Sequence, residues 1–306
     1  MELHQLRYVV AVAEAGNFTR AAQRAYVTQP SLSQQIAKLE EELGHKLFHR
    51  LGRRAVPTEA GLVFIERARQ ILLEVDNATK EMKDDPSLGR TITVGAVPTL
   101  APYLLPPLLD RVRTELPNLT INTREGFRAE LVEEVVGGKL DLAFVSLPLR
   151  DHRISIETIF SEPLLLAVST SHRLATQPDV TPGDLANETF VMMGNGSTLT
   201  RQIERFCGEY DFVPRIGYRC AQVATLKSLV SLGLGVAILP QITRHLSDRR
   251  SLIYRELSGR APLRELAVIR HLQRYQTRGA QQFLQLAREA LHSVQETRPG
   301  NTRAKN

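Results

Sequence analysis

The chain has 306 residues, 42% hydrophobic and 24% charged, with a formal net charge of +6. That length suits two or three domains, the composition is ordinary for a soluble globular protein, and the positive charge permits a polyanion partner without proving one. Two cysteines, Cys207 and Cys220, make no disulfide framework; no apolar run approaches the roughly 20 residues of a membrane helix; and MELHQLRYVV lacks the basic and apolar regions of a secretory signal, so a cytoplasmic protein with no membrane partner is expected.

Residues 3–15 place Leu3, Leu6, Val9, Val10 and Ala13 at helical spacing. Gly16-Asn17 ends that helix, and Asn17 can cap the next, over 18–25. A longer helix is expected over 29–43, stopped by Gly44, and residues 46–57, which contain no acidic residue, read as a small β-hairpin. From Thr58 a long helix runs to Lys83, with Ile65, Ala68, Leu72, Val75, Thr79 and Met82 at alternating steps of three and four, the spacing of a coiled-coil seam. The polar run 84–90 reads as a hinge.

Beyond it, short apolar strands over 92–96, 119–123, 140–146, 164–169, 189–193, 235–240 and 266–270 alternate with helices over 100–115, 128–136, 198–209, 223–232 and 278–295. Such alternation predicts a largely parallel α/β fold with crossovers, long enough for two subdomains. The basic stretch Arg298 to Lys305 reads as disordered.

The segment 17–44 carries the strongest signal. Two helices joined by the turn Tyr26 to Thr28 have the dimensions of a helix-turn-helix. Ala22 permits close packing, Thr28 can cap the second helix, and Pro30 sits in its first turn, where proline is tolerated. Leu32, Ile36, Leu39 and Leu43 form one apolar stripe. The opposite face is small and polar at its N-terminal end and acidic only at Glu40 to Glu42, which must point away from DNA. Serine and glutamine side chains there can read base edges. The hairpin that follows holds Lys46, Arg50, Arg53 and Arg54 with no counter-charge in the segment, and Gly52 can make its tight turn. A basic hairpin beside a recognition helix is a wing, able to reach phosphates or the minor groove.

From Leu6 through FTRAAQRAYVTQPSLSQQIAKLEEELGHKLFHRLGRRAVPTEAG to Gly61 the chain resembles the N-terminal domain of LysR-type regulators, densely and almost without gaps. The remainder resembles the family's effector domain more loosely. This resemblance implies a winged helix-turn-helix, a linker helix that dimerises, two subdomains like those of a periplasmic binding protein, and a homotetramer built as a dimer of dimers. It places DNA contacts on Gln29, Pro30, Ser31, Ser33 and Gln34 of the recognition helix and on Arg53 and Arg54 of the wing. Gln34 stands where relatives often carry arginine.

The resemblance also puts an effector between the two subdomains. One wall is the loop and helix start at Pro98 and Thr99, where Thr99 can cap the helix, contact the ligand, or both. Facing it are the loop at 125–130 with Arg128, and the loop at 193–202 with Asn195, Ser197 and Thr198; Ser146 and Gln222 complete the ring. Arg128 and Arg201 are candidate counter-ions for a carboxylate, so an anionic or polar effector is expected.

The sensing region is further similar to the hydrogen-peroxide-sensing branch, in which two cysteines stand nine residues apart. Here the second falls on Cys207 but the first on Thr198, and a threonine forms neither thiolate nor sulfenic acid. A redox switch through Cys207 and Cys220 is the alternative reading, with free buried thiols as its structural rival. A third reading, an α/β enzyme, has little behind it: the histidines are scattered, Ile238 stands where a dinucleotide loop needs its third glycine, Glu133 replaces the upstream glycine of a phosphate loop, and Asn195 lies where a nucleophile elbow needs serine.

The expected fold class is therefore α/β: an all-α winged helix-turn-helix with a linker helix, then two α/β subdomains. Expected boundaries are 1–58 for DNA binding, 59–89 for the linker and hinge, 90–162 with 266–296 for effector subdomain I, 163–265 for subdomain II, and 297–306 for a disordered tail. The expected partners are double-stranded DNA, a small-molecule effector and further copies of the chain; no metal or cofactor is expected.

Overall fold

The computed structural model describes residues 1–84, 90–259 and 261–296, and the chain forms two compact units, Met1–Asp85 and Pro86–Asn306. Most of the expected hinge and the tail from 297 onward lie outside the described residues.

In the first unit α1 (Leu3–Ala15), α2 (Phe18–Arg24) and α3 (Gln29–Leu43) precede a hairpin of β1 (Phe48–Leu51) and β2 (Arg54–Pro57), and α4 (Glu59–Met82) follows. Its core joins Val9 and Val12 of α1, Ala21 and Ala22 of α2, Leu32, Ile36 and Leu39 of α3, and Phe48 and Ala55 of the hairpin. Local chemistry sets the boundaries: the Asn17 side chain accepts from Arg20 N, Thr28 from Ser31 N, and Thr58 from Gly61 N. The Thr58 hydroxyl also donates to Lys46 O at 2.6 Å, tying the start of α4 to the start of the hairpin. Gly61 is required by that approach, because a Cβ there would lie 2.0 Å from Leu47 O.

Two expectations for this unit need correction. Ile65 and Ala68 are buried inside the unit, where α4 packs on α1, so they are not open to a partner helix. Among the exposed and half-exposed apolar side chains of α4, Ile71, Val75, Ala78 and Met82 stand at four-three-four steps, sharing Val75 and Met82 with the expected seam. Glu40 is not part of an exposed acidic end: only 5% exposed, it accepts from Leu47 N at 2.8 Å and Phe48 N at 3.4 Å. Lys46 pairs with the same carboxylate at 3.0 Å and so does have a counter-charge.

The second unit begins with β3 (Arg90–Ala96), α5 (Ala101–Glu115), β4 (Leu119–Glu125), α6 (Arg128–Val136) and β5 (Leu142–Ser146). It continues through β6 (Ile154–Ser169), α7 (Arg173–Thr176), β7 (Thr189–Met193), α8 (Thr198–Gly208), β8 (Arg215–Cys220), α9 (Val223–Ser231) and β9 (Ala237–Pro240). It closes with β10 (Leu252–Arg255), β11 (Leu263–His271) and α10 (Arg278–Glu296).

The main sheet runs β10-β6-β11-β5-β3-β4, and β9 also pairs with β6. β3 is parallel to β4 and β5, and β7 is parallel to β8, but every pairing of β6 and β11 is antiparallel. The fold is α/β, with a mixed sheet rather than a largely parallel one. The difference arises in β6, whose first half, 154–163, reads poorly as a strand because it ends on Glu162 and Pro163. Two hydrophobic clusters form, one around Val94, Leu108, Phe144 and Phe283, the other around Leu166, Phe190, Met192 and Leu239. β6 runs from the first cluster into the second, contributing Ile154 and Phe160 to one and Leu164 to Val168 to the other.

Candidate functional site

On α3 the buried stripe of Leu32, Ile36 and Leu39 fixes which side chains face outward. Pro30, Ser31 and Gln34 are exposed, and Gln29 and Ser33 are half-buried beside them. The Gln29 side-chain amide donates to the Ser33 hydroxyl at 2.7 Å. The five residues expected to read DNA thus lie along the first two turns of one helix, whose end is open to approach. The hairpin is held at its turn. Asn17 Nδ2 donates to Arg53 O, and Ala55 N donates to Gly16 O at 2.9 Å, so the strand carrying the arginines is pinned to the α1–α2 corner. Arg50 stacks on Phe18, 4.5 Å from the ring centroid. Gly52, at φ 61°, makes the turn, and Arg53 and Arg54 stand exposed beside it.

In the second unit, six of the eight residues expected around an effector converge. Pro98, Thr99, Arg128, Ser146, Ser197 and Thr198 line one small void of about 10 Å³, room for a single water. Phe127, which also lines it, packs on Gly196, where a Cβ would meet the ring at 3.1 Å. Asn195 and Gln222 are exposed and line neither this void nor the larger groove beside it. That groove, about 510 Å³, lies between α8 and residues 261–263 and is open to Arg128, Thr198, Arg201 and Gln202.

Thr99 does not cap a helix. The N-cap of α5 is Leu100, and the buried Thr99 hydroxyl accepts from Arg264 Nη1 at 2.9 Å. Arg264 also donates through Nε and Nη2 to Glu162 Oε1, at 3.0 and 2.5 Å, and Glu162 Oε2 accepts from Ile242 N at 2.6 Å. Both charged residues are fully buried, and each of their side-chain nitrogens and oxygens has a hydrogen-bond partner. Arg128 donates from Nη1 to Ser146 O at 3.0 Å and to Pro148 O. Burial first, then the positive charge of Arg201, pushes its guanidinium down from the usual arginine value.

Residues 3–62 match the profile of the bacterial regulatory helix-turn-helix protein, lysR family, and residues 86–292 that of the LysR substrate binding domain. The chain belongs to the LysR family of transcriptional regulators. Its LysR relatives include an uncharacterized HTH-type transcriptional regulator, YcgK of Bacillus subtilis, 32% identical over 95% of both chains. The dual regulator OxyR of Escherichia coli is 34% identical over 79% of this chain and 80% of its own. A full-length OxyR variant from Pseudomonas aeruginosa, 24% identical over 95% of both chains, superimposes with a TM-score of 0.71 and shares the fold.

Within this LysR fold Cys207 and Cys220 are both buried and free. Burial pushes the Cys207 thiol up to about 12 and raises that of Cys220, the opposite of what a reactive thiolate needs. Arg219, next to Cys220, faces out and lies 3.7 Å from Glu204. Sequence reasoning missed Glu40, Glu162 and Arg264. The partner of each lies too far along the chain, or on a backbone N–H, to be seen in a pattern. Gln202 was missed for another reason: one turn beyond Thr198, it reads as an ordinary exposed helix position.

Proposed function

We propose that this LysR regulator binds dyad-symmetric promoter DNA through Gln29, Pro30, Ser31, Ser33 and Gln34, with Arg53 and Arg54 as the wing, and responds to an anionic or polar small molecule held between its two effector subdomains. The observation that carries this reading is the open, uncharged N-terminal half of α3 together with a guanidinium pair on a hairpin pinned to the same unit. A helix of that kind offers side-chain donors and acceptors at a width the major groove admits, while arginines beside it meet phosphates.

The working domains are 1–58 for DNA, 59–89 for the linker, 90–162 with 266–296 and 163–265 for the two effector subdomains. Two chains associate through the stripe of Ile71, Val75, Ala78 and Met82 on α4, and two such dimers make a homotetramer. Pro98, Thr99, Arg128, Ser146, Ser197 and Thr198 form the effector wall, and Asn195 and Gln222, expected in the same ring, lie exposed outside it. The protein works in the cytoplasm, where its DNA is, and performs no catalytic step. With Thr198 in place of a peroxide-reactive cysteine, and with both thiols pushed up by burial, the signal is a bound molecule rather than a disulfide. No described helix is long and apolar enough to cross a membrane.

Footprinting of the full-length protein on sheared genomic DNA tests the reading. Protected sites should carry an inverted repeat and should lose protection steeply with salt. Failure to protect any fragment at low salt would remove it.

A further inference from the structure

We propose that the groove between α8 and residues 261–263 binds a small carboxylate carrying a hydroxyl or amine donor on an apolar frame, a proposal that rests on the effector reading above. The groove is the larger of the two spaces beside the expected effector wall, about 510 Å³ against about 10 Å³, and only it has room for an organic molecule.

Its charge is positive and partly uncompensated. Arg205 faces Glu209 at 3.4 Å, so that pair neutralises itself. Arg128 and Arg201 have no carboxylate partner among the described residues, and Arg128 satisfies only Nη1, on two backbone carbonyls. Two guanidinium groups that repel each other across a half-buried groove favour an anion between them, and the planar fork matches a carboxylate.

Two further atoms specify the rest of the ligand. Thr198 Oγ1 and Gln202 Oε1 are buried and without a hydrogen-bond partner among the described residues. They stand four residues apart, on one face of α8. The orientation of the Gln202 amide is settled by its own contact: Nε2 donates to Leu263 O, which leaves Oε1 as an acceptor only. A carboxylate cannot satisfy it, whereas an O–H or N–H on the same ligand can. Phe206, Pro262 and Leu263 supply an apolar wall for the ligand's frame. A simple inorganic anion such as sulfate would answer the arginines and leave both the acceptor and the apolar wall unused.

The test is calorimetry and thermal melting of the full-length protein with mandelate, phenyllactate, salicylate, 3-hydroxybutyrate and phenylalanine, each beside the acid lacking its donor and the uncharged amide. At least one donor-bearing acid should bind and raise the melting temperature. It should bind about tenfold or more tighter than its donor-free and uncharged counterparts, and Arg201→Ala and Gln202→Leu should each weaken it by about tenfold or more. The proposal is overturned if no acid of the panel binds, if donor-free acids bind equally well, or if both variants fold and keep wild-type affinity. DNA footprints of the same preparations separate the two readings. Intact footprints without acid binding sink the ligand class alone; missing footprints sink the regulator reading whatever the acids do.

Discussion

The Gln29 side chain donates to the Ser33 hydroxyl at 2.7 Å, one turn apart on α3, so two side chains proposed to read bases hold each other in the free protein. Gln29 is thereby aimed along the helix face instead of sampling its rotamers, and Ser33 positions it even where the hydroxyl itself touches no base. Ser33→Ala therefore acts at two positions of the half-site. It and Gln34→Ala are each expected to weaken specific binding by about 1–3 kcal/mol, but Ser33→Ala should relax base preference over a wider span. Footprint titrations on single-base-pair operator variants check this; identical profiles for the two substitutions would show that the Gln29–Ser33 contact has no part in recognition.

Arg53 and Arg54 act differently. Their strand is pinned to the α1–α2 corner, but the side chains are free to reach phosphate. Each alanine substitution should weaken binding to all sequences alike and flatten the salt dependence by about one unit of slope per lost phosphate contact. An unchanged slope would mean a hairpin that only borders the duplex.

The buried pair of Glu162 and Arg264 predicts an asymmetric mutational series. Arg264→Ala leaves a carboxylate at 0% exposure with Ile242 N as its remaining hydrogen-bond donor, and should cost about 3–5 kcal/mol in urea unfolding. The double variant Arg264→Met, Glu162→Met should be less destabilised than the single, because no lone charge stays behind. Since Arg264 also donates to Thr99, both variants should alter effector response even where they fold.

Much of this architecture is legible in the sequence because it is local. Asn17, Thr28 and Thr58 cap the helices they precede, Gly16 and Gly44 end others, and the Leu32–Ile36–Leu39 stripe orients α3. What escapes is non-local. The first half of β6 ends on a glutamate and a proline that argue against a strand, and only Arg264, 102 residues away, explains the glutamate. The first two positions of the expected α4 seam, Ile65 and Ala68, satisfy its spacing while packing inward on α1. Six of the eight residues expected around an effector meet at one small void, but the room lies beside it, at Gln202 and Leu263, which no periodicity marks.

Cys207 supplies a pH prediction. Its thiol is raised by burial from an ordinary value near 9 to about 12, so the native state holds a proton that the unfolded chain releases. The associated stability is fully present below about pH 9 and is lost as pH rises towards 12. Urea midpoints should fall across that window less in Cys207→Ser than in the wild type. In the same account the Cys207→Ser, Cys220→Ser double variant keeps its effector response, and a native Cys207–Cys220 disulfide under oxidant, with loss of response in the folded double variant, would promote a redox mechanism instead.

The central claim is that α3 reads dyad-symmetric DNA. Selection of duplexes from a random pool by the full-length protein, repeated with the Ser33→Ala, Gln34→Ala double variant, tests it most directly. The account predicts an inverted repeat whose half-sites are spaced by whole turns of the duplex, and loss or change of that repeat with the double variant. Enrichment without a dyad, or the same repeat recovered unchanged by the variant, would contradict it.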